Sequence, residues 1–498
     1  RMGSSPISAT GVNCEFPTAV YSGRGPRTDQ SPDGTNVLIG HALSWRGVLE
    51  VKQSMVSKDI KLVDIEKPNL YREVFPYTQF PKVVFDGEQE PYEIPDDIWI
   101  TDTTFRDGQQ ARPPYKPEQI LRIYDLLHEI DGGAGLIRQC EFFLYSEKDR
   151  KAVELCQARG YKYPEITGWI RAVAADFKLV SQLGLQETGI LTSASDYHVF
   201  LKLGKTRTQA LNSYLDIVKA ALDTGVLPRC HLEDITRADY DGFILPFAVE
   251  LLKISEQYGK PIKIRLCDTL GFGLPWPGVA LPRGIPKLIQ GLRKVGVQPA
   301  QLEWHGHNDF HKVLVNAATA WLYGCSAANA AIFGSGERTG NPPLEALVIE
   351  HAQLRGMVPG VNYAAITELA DYAHTELGFE IARNYPLVGR DFNVTRAGIH
   401  ADGLLKNEEI YNCFDTNKLL NRPIGVAIAD KTGAAGIKHW VETHYEIQIA
   451  KHDPRIIKIK DRIDAEYAAD RISAISDDEM HQWVRETFEA QMPAARKG

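Results

Sequence analysis

The chain has no excess of positive charge. Its 56 Lys and Arg face 64 Asp and Glu, for a formal net charge of −8. A nucleic-acid partner would need a basic stripe to neutralise phosphates, so that class is excluded. Long apolar runs are missing as well. None approaches the ~18 residues that a membrane helix requires, and no membrane association is expected. The seven cysteines are odd in number, scattered and free of any Cys-x-x-Cys. This argues against a cysteine-held zinc site and for reduced core thiols in a cytoplasmic protein. A Gly-rich nucleotide loop is also absent after the first strand-like run, where an open dinucleotide-binding sheet would carry one. The nearest lookalike, Gly204-Lys205-Thr206, has Val199 where a P-loop needs glycine. The polar start, Arg1-Met-Gly-Ser-Ser5, lacks an apolar signal region and reads as an expression scar.

What is present is alternation. With 498 residues, 44% apolar and 24% charged, the chain has room for a large core plus attached modules. From Asp97 short apolar runs alternate with helical patterns. Strands are predicted at 98–101, 137–143, 165–171, 187–191, 229–233, 262–267, 301–305 and 328–333. A helix is predicted at 116–130, where Ile120, Ile123, Leu126, Leu127 and Ile130 share a face. Strand–helix units repeated in this way predict an α/β fold, a (β/α)8 TIM barrel. Residues 1–95 read as an N-terminal extension, strand-like near 82–85, packed on the barrel or on a partner subunit. Residues 96–358 form the catalytic barrel, and 359–498 a mostly helical C-terminal region contributing to the active site. Within it, Ser476-x-x-Glu479 is a capping box opening a helix with Met480, Trp483, Val484 and Phe488 on one face. Such a stripe belongs to a core or a subunit interface.

Polar clusters follow the apolar runs, at the strand ends where barrel enzymes keep their chemistry. Arg106 and Asp107 follow the first run, Glu141 lies on the second, and Thr192, Ser195, Asp196 and His198 follow the fourth. Glu233-Asp234, Asp268-Thr269 and His305/His307 close the fifth, sixth and seventh. Gly334-Ser-Gly-Glu-Arg-Thr-Gly-Asn341 follows the eighth. Residues i and i+2 of a strand point the same way, so His305 and His307 can reach one ion together. With Asp107 they make an open carboxylate–imidazole set suited to a divalent metal. In the Gly-rich run, Glu337-Arg338 reads as an internal brace.

The segments Asp102-Thr-Thr-Phe-Arg-Asp-Gly-Gln-Gln110, His305-Gly-His-Asn-Asp309, Gly334-x-Gly-Glu-Arg-x-Gly-Asn341 and Gly398-Ile-His-Ala-Asp-Gly403 resemble the metal-dependent Claisen-condensing barrels. That family includes isopropylmalate, homocitrate and citramalate synthases and hydroxymethylglutaryl-CoA lyase. Glu141-Phe-Phe-Leu-Tyr145, Ser195-Asp-Tyr-His198 and Pro228-Arg-Cys-His-Leu-Glu-Asp234 are further similar to its Re-type citrate-forming branch. The resemblance implies attack of the acetyl-CoA methyl carbon on the keto carbon of oxaloacetate, then thioester hydrolysis.

It also implies roles. A metal, manganese or cobalt foremost with magnesium or zinc as alternatives, is held by Asp107, His305 and His307. Arg106 stabilises enolate or alkoxide charge with Gln110 beside it. Glu141, His198 and Thr269 join in binding the keto acid. Glu233, His400 and Tyr411 belong to the acid–base machinery, and a homodimer is expected. Where several relatives have Asn as the third residue of the motif after the eighth strand and a fourth metal ligand, this chain has Ser335, the expected stand-in. Phe333–Asn341 lacks the reactive cysteine of the lyases, which favours condensation. No leucine-sensing domain is recognisable beyond Val426. Homocitrate or isopropylmalate synthesis from another 2-keto acid is the alternative reading.

Overall fold

A computed structural model describes residues 60–75, 83–395, 400, 403–404, 406–445 and 447–488. Eight parallel strands close in sequence order into a barrel. They are β1 (Trp99–Asp102), β2 (Ile137–Phe143), β3 (Glu165–Arg171), β4 (Glu187–Ser193), β5 (Leu227–Glu233), β6 (Lys263–Asp268), β7 (Leu302–Gly306) and β8 (Ala327–Ala330). β1 pairs with both β2 and β8, which leaves no open edge. The expected (β/α)8 fold is therefore the observed one. Helices such as Pro117–Asp131 cover the outside, burying Ile120, Ile123, Leu126, Leu127 and Ile130. That stripe is the one read from the sequence, on a helix whose bounds are shifted by one residue.

The largest departure is at β8. Its apolar run continues to Phe333, but the strand ends at Ala330. The chain then turns through Ile332–Gly334 with Phe333 at φ 51°. Ile332 stays fully buried through that turn, because hydrophobicity reports burial and not extension. Wide π-type turns also follow strand ends at Thr104–Gly108, Tyr197–Lys202 and Tyr240–Ile244. No propensity pattern marks them, and turns of this kind gather at functional sites.

The inside of the barrel is ionic rather than oily. Arg229 and Arg265 are fully buried. Arg229 reaches Glu141 at 2.8 Å, Glu187 at 2.9 Å and Glu303 at 3.3 Å. Arg265 reaches Glu141 at 2.8 Å and Glu303 at 2.9 Å. Charges removed from water are tolerable only when matched in this way.

The described parts of the N-terminal segment lie against the barrel. Val84 and Asp86 exchange backbone hydrogen bonds with Ala280 and Gly278. Of the predicted strand near 82–85, the described residues 83–85 make one bridge, Phe85 with Val279, and residues 1–59 and 76–82 lie outside the described set. In the C-terminal region, Ala365–Glu376 joins the barrel core, while Ala434–Tyr445, Pro454–Ala468 and Asp477–Phe488 enclose a core of their own. Ser476 caps the last helix by accepting from Glu479 N–H, and Glu479 accepts from Ser476 N–H at 2.8 Å. Met480, Trp483, Val484 and Phe488 face that core.

Arg229→Met should strip three carboxylates of a partner. The expected loss of stability is about 3–5 kcal/mol, the cost of breaking a buried ion pair from one side. Denaturant unfolding would show it as a lowered midpoint, and an unchanged midpoint would contradict the ionic account of the barrel interior.

Candidate active site

Asp107 sits on the wide turn after β1, His305 on β7, and His307 just beyond it. All three are buried, and one ligand atom from each lies within 4.8 Å of the others. The His307 Nε2 is 3.0 Å from Asp107 Oδ2, and the His305 Nε2 is 3.8 Å from the same oxygen. The far nitrogens are already engaged. His305 Nδ1 lies 3.1 Å from the amide oxygen of Asn329, and His307 Nδ1 lies 2.7 Å from the Thr269 carbonyl. Each of these oxygens favours a proton on Nδ1, although the Arg338 guanidinium also lies 2.8 Å from His307 Nδ1. In His305 this leaves the Nε2 lone pair for a cation, whereas the His307 Nε2 donates a proton to Asp107 that a bound cation would displace.

Charge agrees with geometry. Burial alone would raise the Asp107 carboxyl, but Arg106 first, then His307 and His305, hold it well below the usual range. Burial foremost pushes His305 well down, so it is neutral and free to donate its lone pair. Burial also opposes charge on His307, but its hydrogen bond to Asp107 outweighs this and raises it. Three donors of the right type, two of them oriented from behind, fit a divalent cation.

Arg106 is placed by its neighbours. Its Nη1 is 3.1 Å from Asp107 Oδ1 and its Nε 2.8 Å from Glu141 Oε1. Glu141 is fully buried, with both oxygens taken by Arg106, Arg229 and Arg265. It lies beneath the site and fixes Arg106 from behind. Gln110 is exposed beyond the end of the turn.

Two residues approach the open side of the metal set. Ser335 lies against the Asp107 turn, its Oγ 2.9 Å from where a Cβ on Gly108 would stand. Asn341, given no role from sequence, donates Nδ2–H to Asp107 Oδ2 at 2.6 Å and to the Ser335 carbonyl at 2.9 Å. Ser335 Oγ and Asn341 Oδ1 are both buried without a hydrogen-bond partner. An amide can present either atom after a half-turn, so Asn341 has an oxygen available for a cation beside Asp107. The signal was its place closing the Gly-Glu-Arg-x-Gly-Asn motif. Thr104 ties the two loops together. Its hydroxyl lies 2.5 Å from Asp102 Oδ1 and accepts from Ile332 N–H at 3.0 Å.

A second cluster surrounds His198 on the turn after β4. Its Nδ1 is 3.0 Å from Glu233 Oε2, its Nε2 3.7 Å from Asp234 Oδ2, and Lys202 Nζ is 3.0 Å from Glu233. Burial opposes the charge on Glu233, but His198 first, with Ser193 and Lys202, holds its carboxyl down at about 2. Thr269 joins the clusters. Its hydroxyl accepts from Asp234 N–H at 2.8 Å while its carbonyl serves His307. Arg338 braces the β8 loop to Asp309 at 3.0 Å and also reaches the Thr269 carbonyl.

His400 and Tyr411 stand apart. Both are exposed, and their rings lie 4.6 Å from each other. Among the described residues, no hydrogen bond, ion pair or ring contact joins either side chain to the barrel clusters. Of the cysteines, 140, 156, 230, 267 and 325 are buried free thiols and 413 is an exposed one.

A closed parallel barrel with a buried Asp–His–His set at its strand ends has the form of a metal-dependent barrel enzyme. Residues 97–372 match the family described as HMGL-like, and the chain belongs to that family. It is 55% identical over 430 residues to a citrate (Re)-synthase of Syntrophus aciditrophicus, covering 85% of this chain and 68% of that one. With the citrate (Re)-synthase of Clostridium kluyveri it shares 52% over 433 residues, 86% of this chain and 96% of that one. A 2-phosphinomethylmalate synthase of Streptomyces hygroscopicus is 41% identical over 430 residues, 85% of this chain and 97% of that one.

Asn341→Ala should weaken divalent-metal affinity by about 10–100-fold, as loss of a supporting shell residue does. Isothermal titration with Mn2+ would measure it. Unchanged affinity would remove Asn341 from the metal site.

Proposed function

We propose that this chain is a citrate (Re)-synthase, which joins acetyl-CoA to oxaloacetate and hydrolyses the thioester to release citrate and CoA. The observation that carries the reading is the buried Asp107–His305–His307 set beside Arg106, in a chain 52–55% identical to two enzymes of that name. Manganese or cobalt suits mixed carboxylate and imidazole donors foremost, with magnesium or zinc as alternatives. Bound there, the cation would supply Lewis-acid polarisation of the keto oxygen and anchor the neighbouring carboxylate of oxaloacetate.

The protein does the rest by position. The acetyl methyl is a very weak acid, so its deprotonation needs a placed base and a stabilised enolate. Arg106, locked between Glu141 and Asp107, presents a fixed cation where enolate or alkoxide charge develops. It needs no reorganisation to do so. His198 and Thr269 lie next to Glu233 and Asp234 and are suited to hold the second carboxylate of the keto acid. Glu233 is ionised at neutral pH and orients His198 within the acid–base machinery. His400 and Tyr411 are exposed and paired with each other. A second copy of the chain is the natural place for them to act, which is the homodimer expected from sequence. The buried free thiols fit a reducing cytoplasm.

Thiol release from acetyl-CoA should be seen with oxaloacetate in preference to 2-oxoglutarate, pyruvate and 2-oxoisovalerate. It should stop on chelation and return with added Mn2+. Asp107→Ala and His305→Ala should each abolish it. Preference for another keto acid would refute the citrate reading, and normal turnover in either variant would refute the site. The position of label from acetyl-CoA in the citrate would report the face attacked.

A further inference from the structure

Residues 60–75 have no regular secondary structure, yet they are fastened to the barrel along their length. Val63 N–H donates to the Gly242 carbonyl at 2.9 Å, and the Val63 carbonyl accepts from Arg207 Nη1 at 2.9 Å. Asn69 N–H donates to Asp196 Oδ2 at 2.9 Å. The Leu70 carbonyl accepts from the Tyr197 hydroxyl at 2.6 Å. Phe75 is buried, its ring 5.0 Å from Phe272.

These fastenings are not scattered. They fall on the loops after β4, β5 and β6, beside His198, Glu233 and Thr269. Among the described residues, no hydrogen bond, ion pair or ring contact of this segment reaches the loops after β1 and β8. Arg207 shows how closely the segment is built in. Fully buried, it pairs with Asp196 at 2.8 Å and with Asp239 at 2.8 Å. Its Nη1 shares its reach between Asp239 and the Val63 carbonyl.

The segment grips both residues that precede His198, namely Asp196 and Tyr197. From Tyr197 the path continues in short steps. The Arg237 guanidinium lies 3.9 Å over the Tyr197 ring and 2.9 Å from Asp234, which faces His198 Nε2 at 3.7 Å. Phe75 acts on the other side, against Phe272 in the loop that begins with Thr269.

We propose that residues 60–75 form a positioning strap across the barrel rim, setting His198 and Thr269 for the keto acid through Tyr197 and Phe75. This rests on the citrate-forming reading. A strap that only adds stability would change melting temperature and leave substrate dependence alone, whereas a positioning strap changes how the keto acid is held.

The test compares wild type, Tyr197→Phe and Phe75→Leu, each as the full chain loaded with Mn2+. Tyr197→Phe keeps the ring under Arg237 and removes only the hydroxyl bond to Leu70. The expected result in both variants is a KM for oxaloacetate raised about three- to tenfold, the scale of one lost neutral hydrogen bond. The acetyl-CoA KM should stay within twofold of wild type in both variants, and so should the Mn2+ Kd from titration in Tyr197→Phe, whose path leads to His198 and not to His307. Unchanged oxaloacetate KM in both variants overturns the strap, whether or not melting temperature falls. So does a loss of Mn2+ affinity in Tyr197→Phe that matches its rise in KM. A wild-type protein without oxaloacetate-dependent thiol release overturns the functional reading, and this inference with it.

Discussion

The arrangement depends on one buried carboxylate. Glu141 is removed from water and matched by Arg106, Arg229 and Arg265. Burial alone would neutralise it, but Arg265, Arg106 and Arg229 keep its carboxyl well below the usual range. An unmatched charge at this depth would cost several kcal/mol, so the geometry of the group is strongly determined. Arg106 is the member that leaves the layer. One end is fixed by Glu141 and the other meets Asp107, so the ionic floor of the barrel positions the carboxylate proposed to bind the metal.

From that floor the site divides into two halves that share Thr269. Its carbonyl orients His307 toward the metal set, and its hydroxyl accepts from the Asp234 backbone beside His198. One residue just after β6 therefore couples the Asp107–His305–His307 set to the His198 cluster, the two places proposed to hold the cation and the keto acid. Hydrogen bonds of this kind contribute little each. Their effect is geometric: they remove rotamers and tautomers that would otherwise compete with the reactive arrangement.

Much of this was legible in the residues. All eight predicted strands overlap observed ones, because each keeps apolar residues such as Phe142, Leu232 and Leu266 on the face that packs in the core, even where Glu141, Arg229 and Arg265 alternate with them. The Asp107, His305 and His307 set was legible for a similar reason: strand geometry puts i and i+2 on one side, and closure brings β1 next to β8 and near β7. Boundaries failed where burial outlasted extension, as at Ile332 and Phe333. Asn341 was overlooked because its loop, not its residue type, brings it to Asp107. Glu141 reads in sequence as one more polar residue at a strand end. Only its position shows both oxygens turned inward onto guanidiniums.

The sequence by itself determined the class of fold, the three residues proposed as metal donors and the charged residue beside them. Periodicity and residue chemistry are local properties, and these features follow from them. Tertiary structure alone decided which nitrogen of each histidine faces the metal set, which carboxylate lies beneath the site, and that Asn341 reaches its open side. It also decided that residues 60–75 cross the rim beside His198. Each of these depends on contacts between residues far apart in the chain, and such contacts exist only once the barrel has closed.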